Sequence, residues 1–149
     1  MTNGSNDATI EIAFENDLRK IARVAARIDE FCSAHRIAQE TAFAVNLAID
    51  ELLTNTISYG YDDDEAHRIE IILRLEGKTL VVAIVDDSAP FDPTQMREPD
   101  IDALMEGQEM DGQEMDGLGL LLANRMMDGV EYRRQGGCNV VTLTKDAVG

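Results

Sequence analysis

The sequence has no tryptophan, and aromatic residues make up only 5% of it, so packing must rest on aliphatic side chains. Only two cysteines are present, Cys32 and Cys138. They are too few and too far apart for a disulfide framework or a metal-ligand spacing, and read as idle reduced thiols. The three prolines, Pro90, Pro93 and Pro99, all fall in one short stretch. Basic residues are scarce: 13 Lys and Arg face 29 Asp and Glu, for a net charge of −16. So acidic a surface argues against nucleic acid or an anionic membrane as the main partner, since both need a basic patch. It leaves room for a polyphosphate held by backbone N–H groups and a metal. No apolar run approaches the ~20 residues of a membrane span. Met1–Asp7 is polar and lacks the basic start of a signal peptide, so a cytoplasmic location is expected.

What is there is ordinary for a globular chain: 149 residues, 44% apolar and 28% charged. That length fits one domain over residues 1–149, with 1–8 as a flexible tail. Thr9–Phe14 alternates Ile10, Ile12 and Phe14 on one face, which predicts a strand. Leu18, Ile21, Ala25, Ile28 and Cys32 form one stripe of a helix over about Asp17–His35. A second helix is expected over about Ala38–Tyr59, with Ala42, Val45, Ile49, Leu52, Leu53 and Thr56 toward the core and Gly60 as its stop. Arg68–Leu75 and Thr79–Asp86 read as a hairpin whose second strand, with LVVAIV, suits a central position. Gly117–Met127 reads as a third helix, followed by strands Val130–Arg134 and Asn139–Lys145. The order β-α-α-β-β-α-β-β predicts an α+β two-layer sandwich, with a mixed, mostly antiparallel sheet carrying helices on one face.

Between the hairpin and the third helix lies a long stretch without a clear period. Within it GQEMD at 107–111 is repeated at once at 112–116. A loop of that length in a compact domain is usually functional or disordered, and residues 94–116 are expected to form a lid.

Three constellations could carry chemistry. Glu51 and Asn55, in ELLTN, are four apart on a helix and so about 40° apart around its axis, away from the apolar stripe. Asn55 offers a neutral oxygen to a hard cation such as Mg²⁺, and Glu51 a general base. Asp86-Asp87-Ser88-Ala89-Pro90-Phe91-Asp92-Pro93 ends the most apolar strand, where a carboxylate can accept hydrogen bonds from an amino group of a base. Gly117-Leu118-Gly119-Leu120 opens a helix, where glycines let phosphate approach the backbone and the helix N-terminus supplies N–H groups. Each pattern alone is also what an exposed helix face, a polar turn or a glycine loop looks like. His35, at a helix end, and His67, in an acidic turn, read as surface residues.

Together, in this order and spacing, the three resemble the nucleotide site of the histidine-kinase-like ATPase superfamily. Within it the chain is most similar to the stand-alone anti-sigma-factor serine/threonine kinases, from about Ile10 to Lys145, including the closing MMDGVEYRRQGGCNVVTLTK. The resemblance implies a Bergerat-type ATP-binding fold using ATP and Mg²⁺. It implies Asn55 as the Mg²⁺ ligand, Glu51 as the base toward an acceptor serine, and Asp86 as the adenine-binding aspartate, with Ser88 and Pro90 in the turn behind it. It implies Gly117, Leu118, Gly119 and Leu120 as the phosphate-proximal turn. The partners implied are a small anti-sigma-factor antagonist domain bearing the serine and a sigma factor that is sequestered, with a homodimer as the assembly. The chain departs from the family pattern at Ser88 and Pro90, where glycines are frequent, at Asp116 before the glycine turn, and at Cys138-Asn139, where many members have Gly-Thr.

Two functional readings stand at this point. One is an ATP:protein phosphotransferase; the other is a nucleotide-binding regulatory module that sequesters its partner without phosphoryl transfer. Glu51 favours the first, Ser88 and Asp116 the second. A sensor histidine kinase is disfavoured, because the first helix holds only His35, at its end. The blandest alternative is a structural domain that binds no nucleotide.

Overall fold

A computed structural model of the chain describes residues 8–95 and 112–148, with side chains of the final stretch from residue 119 onward. Five strands and three α-helices follow the expected order. They are β1 (Ala8–Glu15), α1 (Ile21–Ala34), α2 (Gln39–Tyr59), β2 (Arg68–Glu76), β3 (Thr79–Asp86), α3 (Gly112–Met126), β4 (Gly129–Gln135) and β5 (Cys138–Asp146). The sheet order is β1-β2-β3-β5-β4. Among the described residues all four pairings are antiparallel, so the sheet is antiparallel throughout where a mixed one was expected. β2–β3 and β4–β5 are hairpins, β1 reaches β2 through α1 and α2, and β3 connects onward to β4 by way of α3, with β5 folding back between them.

Period-two burial sets the layers. Ile69, Ile71, Leu73 and Leu75 of β2, Leu80, Val82 and Ile84 of β3, and Val141 and Leu143 of β5 face the helices. Against them pack Val24, Ile28, Phe31 and Cys32 of α1, and Ala44, Val45, Ala48, Ile49, Leu52 and Leu53 of α2. Leu120, Ala123 and Met127 complete this single core. Its aliphatic character answers the scarcity of aromatics.

Local details correct the sequence reading. The first helix does not begin at Asp17. Asp17 caps a 3₁₀ turn at Leu18–Lys20, its carboxylate accepting the Arg19 N–H at 2.9 Å, and α1 starts only at Ile21. The tighter turn breaks the 3.6-residue phase. Leu18 therefore falls outside the apolar stripe and is 50% exposed, while Val24 and Phe31 enter the core. Gly60 does end α2, but in right-handed geometry (φ −84°), not the left-handed turn that usually calls for glycine. Space explains it instead: a Cβ there would lie 2.7 Å from Ser88 Cβ. The Gly60 carbonyl also accepts the Ala89 N–H at 3.0 Å, which pins the loop after β3 to the end of α2.

The third helix begins at Gly112, not Gly117. The second GQEMD copy is thus its first turn and more. Of the segment expected as a lid, 94–116, residues 96–111 lie outside the described residues, as do Met1–Asp7 of the expected tail 1–8, whose last residue, Ala8, instead begins β1. Among the described residues no helix is long and apolar enough to cross a membrane. Both cysteines are free; burial, with the nearby Asp29 charge, pushes the Cys32 thiol up to about 11, which makes it a poor nucleophile.

Candidate functional site

The C-terminal end of β3 delivers Asp86 to the edge of the core, opposite Asn139 at the start of β5. Inward parity decides this: Asp86 follows Leu80, Val82 and Ile84 on one face, as Asn139 precedes Val141 and Leu143. Both polar residues are therefore buried, at 4% and 3% exposure. Buried polar groups need partners, and these two find each other. Asp86 Oδ1 accepts from Asn139 Nδ2 at 3.1 Å, from the Ser88 N–H at 3.1 Å and from the Ser88 hydroxyl. Asn139 Nδ2 also donates to the Ala89 carbonyl at 3.0 Å. On its other side Asn139 Oδ1 accepts from Tyr132 Oη at 2.7 Å and Arg134 Nη1 at 3.1 Å.

Asp86 and Asn139 line a cleft with Leu52, Asn55 and Thr56 of α2, Ile84 and Val141 of the sheet, and Phe91 and Pro93 of the following loop. Asn55 and Asp86, from separate motifs, thus share one wall-to-wall space. The cleft is nearly shut, a cavity of about 20 Å³. Phe91 lines the cleft and is 38% exposed, so its ring lies between the cleft and solvent. Ser88 is buried beside Asp86, whereas Pro90 is exposed and does not line the cleft.

Glu51 lies one turn before Asn55 on α2, and α3 crosses it closely. A Cβ on Gly119 would come within 2.2 Å of Glu51 Oε2, so only glycine lets the α3 backbone approach the carboxylate this closely. The expected placement of the glycine turn needs correction, however. Gly117, Leu118 and Gly119 lie inside α3, five and more residues past its start, so their N–H groups follow the i→i−4 helix pattern and are not free at an N-terminus. Leu120 turns its side chain into the core at 1% exposure. The side chains of residues 112–118, Asp116 among them, lie outside the description.

Behind the Asp86 turn the acidic segment after α2 folds back. His67 Nε2 contacts Asp63 Oδ1 at 2.8 Å and its Nδ1 contacts Asp87 Oδ2 at 3.2 Å, while its ring stacks on Tyr61 at 4.3 Å. The hydrogen bonds that the ring donates to Asp63, then Asp87, raise the His67 pKa above its ordinary 6.5, and the His67 bond lowers that of Asp63. Asp63, Glu65 and His67 bring potential metal-ligand atoms within 4.8 Å of one another. Both ring nitrogens already face carboxylates, so the arrangement reads as an ionic brace.

Sequence reasoning singled out Glu51, Asn55, Asp86 and Ser88, with Phe91 in the turn behind them, and missed Arg134, Tyr132 and Gly60 as parts of this neighbourhood. Asn139 was noted only as a departure. One signal was available: an asparagine, depleted in strands, stands at the inward parity of the last strand.

Comparison with known proteins bears on the site. Residues 14–145 match the family described as the histidine kinase-like ATPase domain. The chain is 30% identical over 102 residues to the serine/threonine-protein kinase BtrW of Bordetella bronchiseptica, covering 68% of each protein. It is 27% identical over 115 residues to the serine-protein kinase RsbW of Bacillus cereus, covering 73% of this chain and 70% of that one. A crystal structure of the RsbU and RsbW domains of a Mycobacterium tuberculosis protein is similar in fold, with a TM-score of 0.66 at 16% identity. That match covers 93% of this chain and 32% of the longer one.

Proposed function

The chain belongs to the histidine kinase-like ATPase family, and from that premise we propose that it is an ATP-dependent protein serine/threonine kinase acting on a small antagonist protein in a partner-switching pathway. The observation that carries this reading is the meeting of Asn55 and Asp86 in one cleft with Glu51 a turn away on the same helix. The kinase names of the relatives support it.

The residues present fit a nucleotide. Asp86, buried at the cleft wall, is an acceptor for the amino group of adenine. Leu52, Ile84 and Val141 supply apolar walls, and Phe91 and Pro93 cover the mouth. Asn55 is the neutral oxygen donor that would hold Mg²⁺, a cation that keeps waters and phosphate oxygens as its other ligands. Bound ATP-Mg²⁺ supplies the phosphoryl group and the neutralising charge. Glu51 takes the proton of the acceptor hydroxyl as general base, and the chain contributes mainly positioning and electrostatics, as in phosphoryl transfer generally.

Gly117 and Gly119 turn N–H groups toward phosphates only if the first turns of α3 unwind. Gly112, Gly117 and Gly119 favour that step, since each costs a helix about 1 kcal/mol relative to alanine. The acceptor serine belongs to the antagonist, a sigma factor is the second partner, and the working form is a cytoplasmic homodimer.

The test is transfer from γ-labelled ATP in the presence of Mg²⁺ and the cognate antagonist domain. Label should appear on the antagonist serine and vanish with Glu51→Ala. A second reading, sequestration without transfer, is favoured by the helical placement of Gly117–Gly119, which leaves the resting site unprepared for phosphates. ATP binding with no label on the antagonist would decide for it.

A further inference from the structure

We infer that Arg134 and Asn139 are positioning residues that lock the Asp86 carboxylate for a single amino group, so that the C-terminal hairpin sets the base selectivity of the site. The inference rests on the nucleotide reading above and deepens it. All three donors to Asp86 in the described structure reach one oxygen, Oδ1: the Ser88 N–H, the Ser88 hydroxyl and Asn139 Nδ2. Oδ2 is left as the acceptor for whatever enters the cleft.

The orientation of Asn139 is fixed by its surroundings on both sides. Its Nδ2 faces acceptors, Asp86 Oδ1 at 3.1 Å, Ala89 O at 3.0 Å and Ser88 Oγ at 3.0 Å. Its Oδ1 faces donors, Tyr132 Oη at 2.7 Å, Arg134 Nη1 at 3.1 Å and the Phe91 N–H at 3.4 Å. A flipped amide would set oxygen against the Asp86 carboxylate and NH₂ against the guanidinium.

Arg134, on the edge strand β4, holds the same assembly from outside. Its Nη1 also donates to the Ser88 carbonyl at 2.7 Å, so one guanidinium nitrogen ties the loop that carries Ser88 to the amide that orients Asp86. A carboxylate held this way cannot rotate to suit a different base. Its free oxygen is a pure acceptor, matched to the 6-amino group of adenine and opposed to the 6-oxo group of guanine. Arg134, which touches only Ser88 and Asn139 of this assembly, would thereby act on recognition of the base alone.

The experiment is calorimetric titration with Mg²⁺ and three nucleotides: ATP, GTP, and purine riboside triphosphate, which lacks the 6-amino group. In the natural protein ATP should bind more tightly than either of the others. Arg134→Ala should weaken ATP at least about tenfold, the scale of one charge-assisted hydrogen bond, and leave purine riboside triphosphate unchanged. Asn139→Asp, nearly isosteric, should do the same by opposing Asp86 with a second carboxylate. Arg134→Lys should recover part of the ATP affinity, because an ammonium reaches the Ser88 carbonyl without the guanidinium geometry.

A parallel loss for ATP and purine riboside triphosphate would mark a merely structural role and overturn the inference. So would an unchanged ATP affinity in both Arg134→Ala and Asn139→Asp, or a natural protein that binds the two nucleotides equally. A natural protein that binds no nucleotide would overturn the kinase reading as well.

Discussion

The Asp86 end and the Glu51 end of the candidate site are held by different physics. At the Asp86 end, neighbouring strands of one sheet bring Asp86 and Asn139 into register, and a web of hydrogen bonds through Ser88, Tyr132 and Arg134 closes around them. At the Glu51 end, the contact is a helix backbone laid against a carboxylate, with a glycine where no Cβ would fit. A ladder of antiparallel bonds fixes register strongly because one face is buried. A glycine-rich helix start has little intrinsic stability and is free to be rebuilt. The end proposed above for the base is thus held by strand register and a hydrogen-bond web without any ligand, whereas the end proposed for the phosphates rests on a glycine-rich helix.

Substitutions can break that contrast or sharpen it. The largest effect is expected for Glu51→Ala, which should lower phosphoryl transfer by roughly 10²–10⁴-fold, the usual worth of a general base, with ATP affinity kept. Loss of ATP binding in that variant would mean Glu51 belongs to the binding half.

Gly119→Ala should come next. The new Cβ meets the far end of the Glu51 side chain, which can swing away, so the fold survives while the carboxylate is displaced. Transfer should fall by about 10²-fold, as for a small misplacement of a reacting group, and the melting temperature should hardly move. A large drop in melting temperature would show that the phosphate end is as rigid as the base end.

Gly60→Ala probes the opposite half. There the obstacles are the Thr56 carbonyl oxygen at 2.5 Å and Ser88 Cβ at 2.7 Å in a pinned loop, so the protein should lose about 1–3 kcal/mol of stability in urea unfolding. ATP affinity should fall with it, since Ser88 moves with Asp86.

The smallest effect concerns His67, on the exposed brace behind Asp87. Its folded pKa lies above 6.5 because Asp63 and Asp87 accept from the ring. The stabilisation it adds is therefore fully present below pH 6.5 and is lost as pH rises through the raised folded value. Asp63 is the mirror case: with its folded pKa lowered, its share is present above pH 3.8 and lost as pH falls. An NMR titration of the ring should place the His67 pKa above 6.5. Asp87→Asn should bring it down, and an unchanged value would remove Asp87 from the brace.

Much of the architecture was legible beforehand because it rests on short-range periodicity. Alternation in TIEIAF and LVVAIV gave strands, and steps of three and four in α2 gave Val45, Ile49, Leu52 and Leu53 of its buried stripe, though Ala42 and Thr56 are only half-buried and Thr41, Ala44 and Ala48 join the buried face. Boundaries slipped where local geometry departed from the ideal, as at the 3₁₀ turn that removed Leu18 from its stripe. They slipped again at α3, where GQEMD at 112–116, of no clear period, was drawn into the helix. In the site, Glu51, Asn55 and Asp86 were legible because motif spacing on a helix and at a strand end is local information. Arg134 and Tyr132 were not, because their importance comes from a hairpin partner and from β5 lying next to β3.

The sequence by itself determined the element order, the inward and outward faces of the strands, the acidic surface, and the four-residue spacing of Glu51 and Asn55. These depend on residues close along the chain, where the periods of helix and strand leave few choices. The tertiary structure alone decided that Asp86 would stand against Asn139, that Gly60 would be needed for the space beside Ser88, and that Gly119 would lie on Glu51. Each of these joins segments far apart in sequence, and only packing the two layers around one core fixes the distance between them.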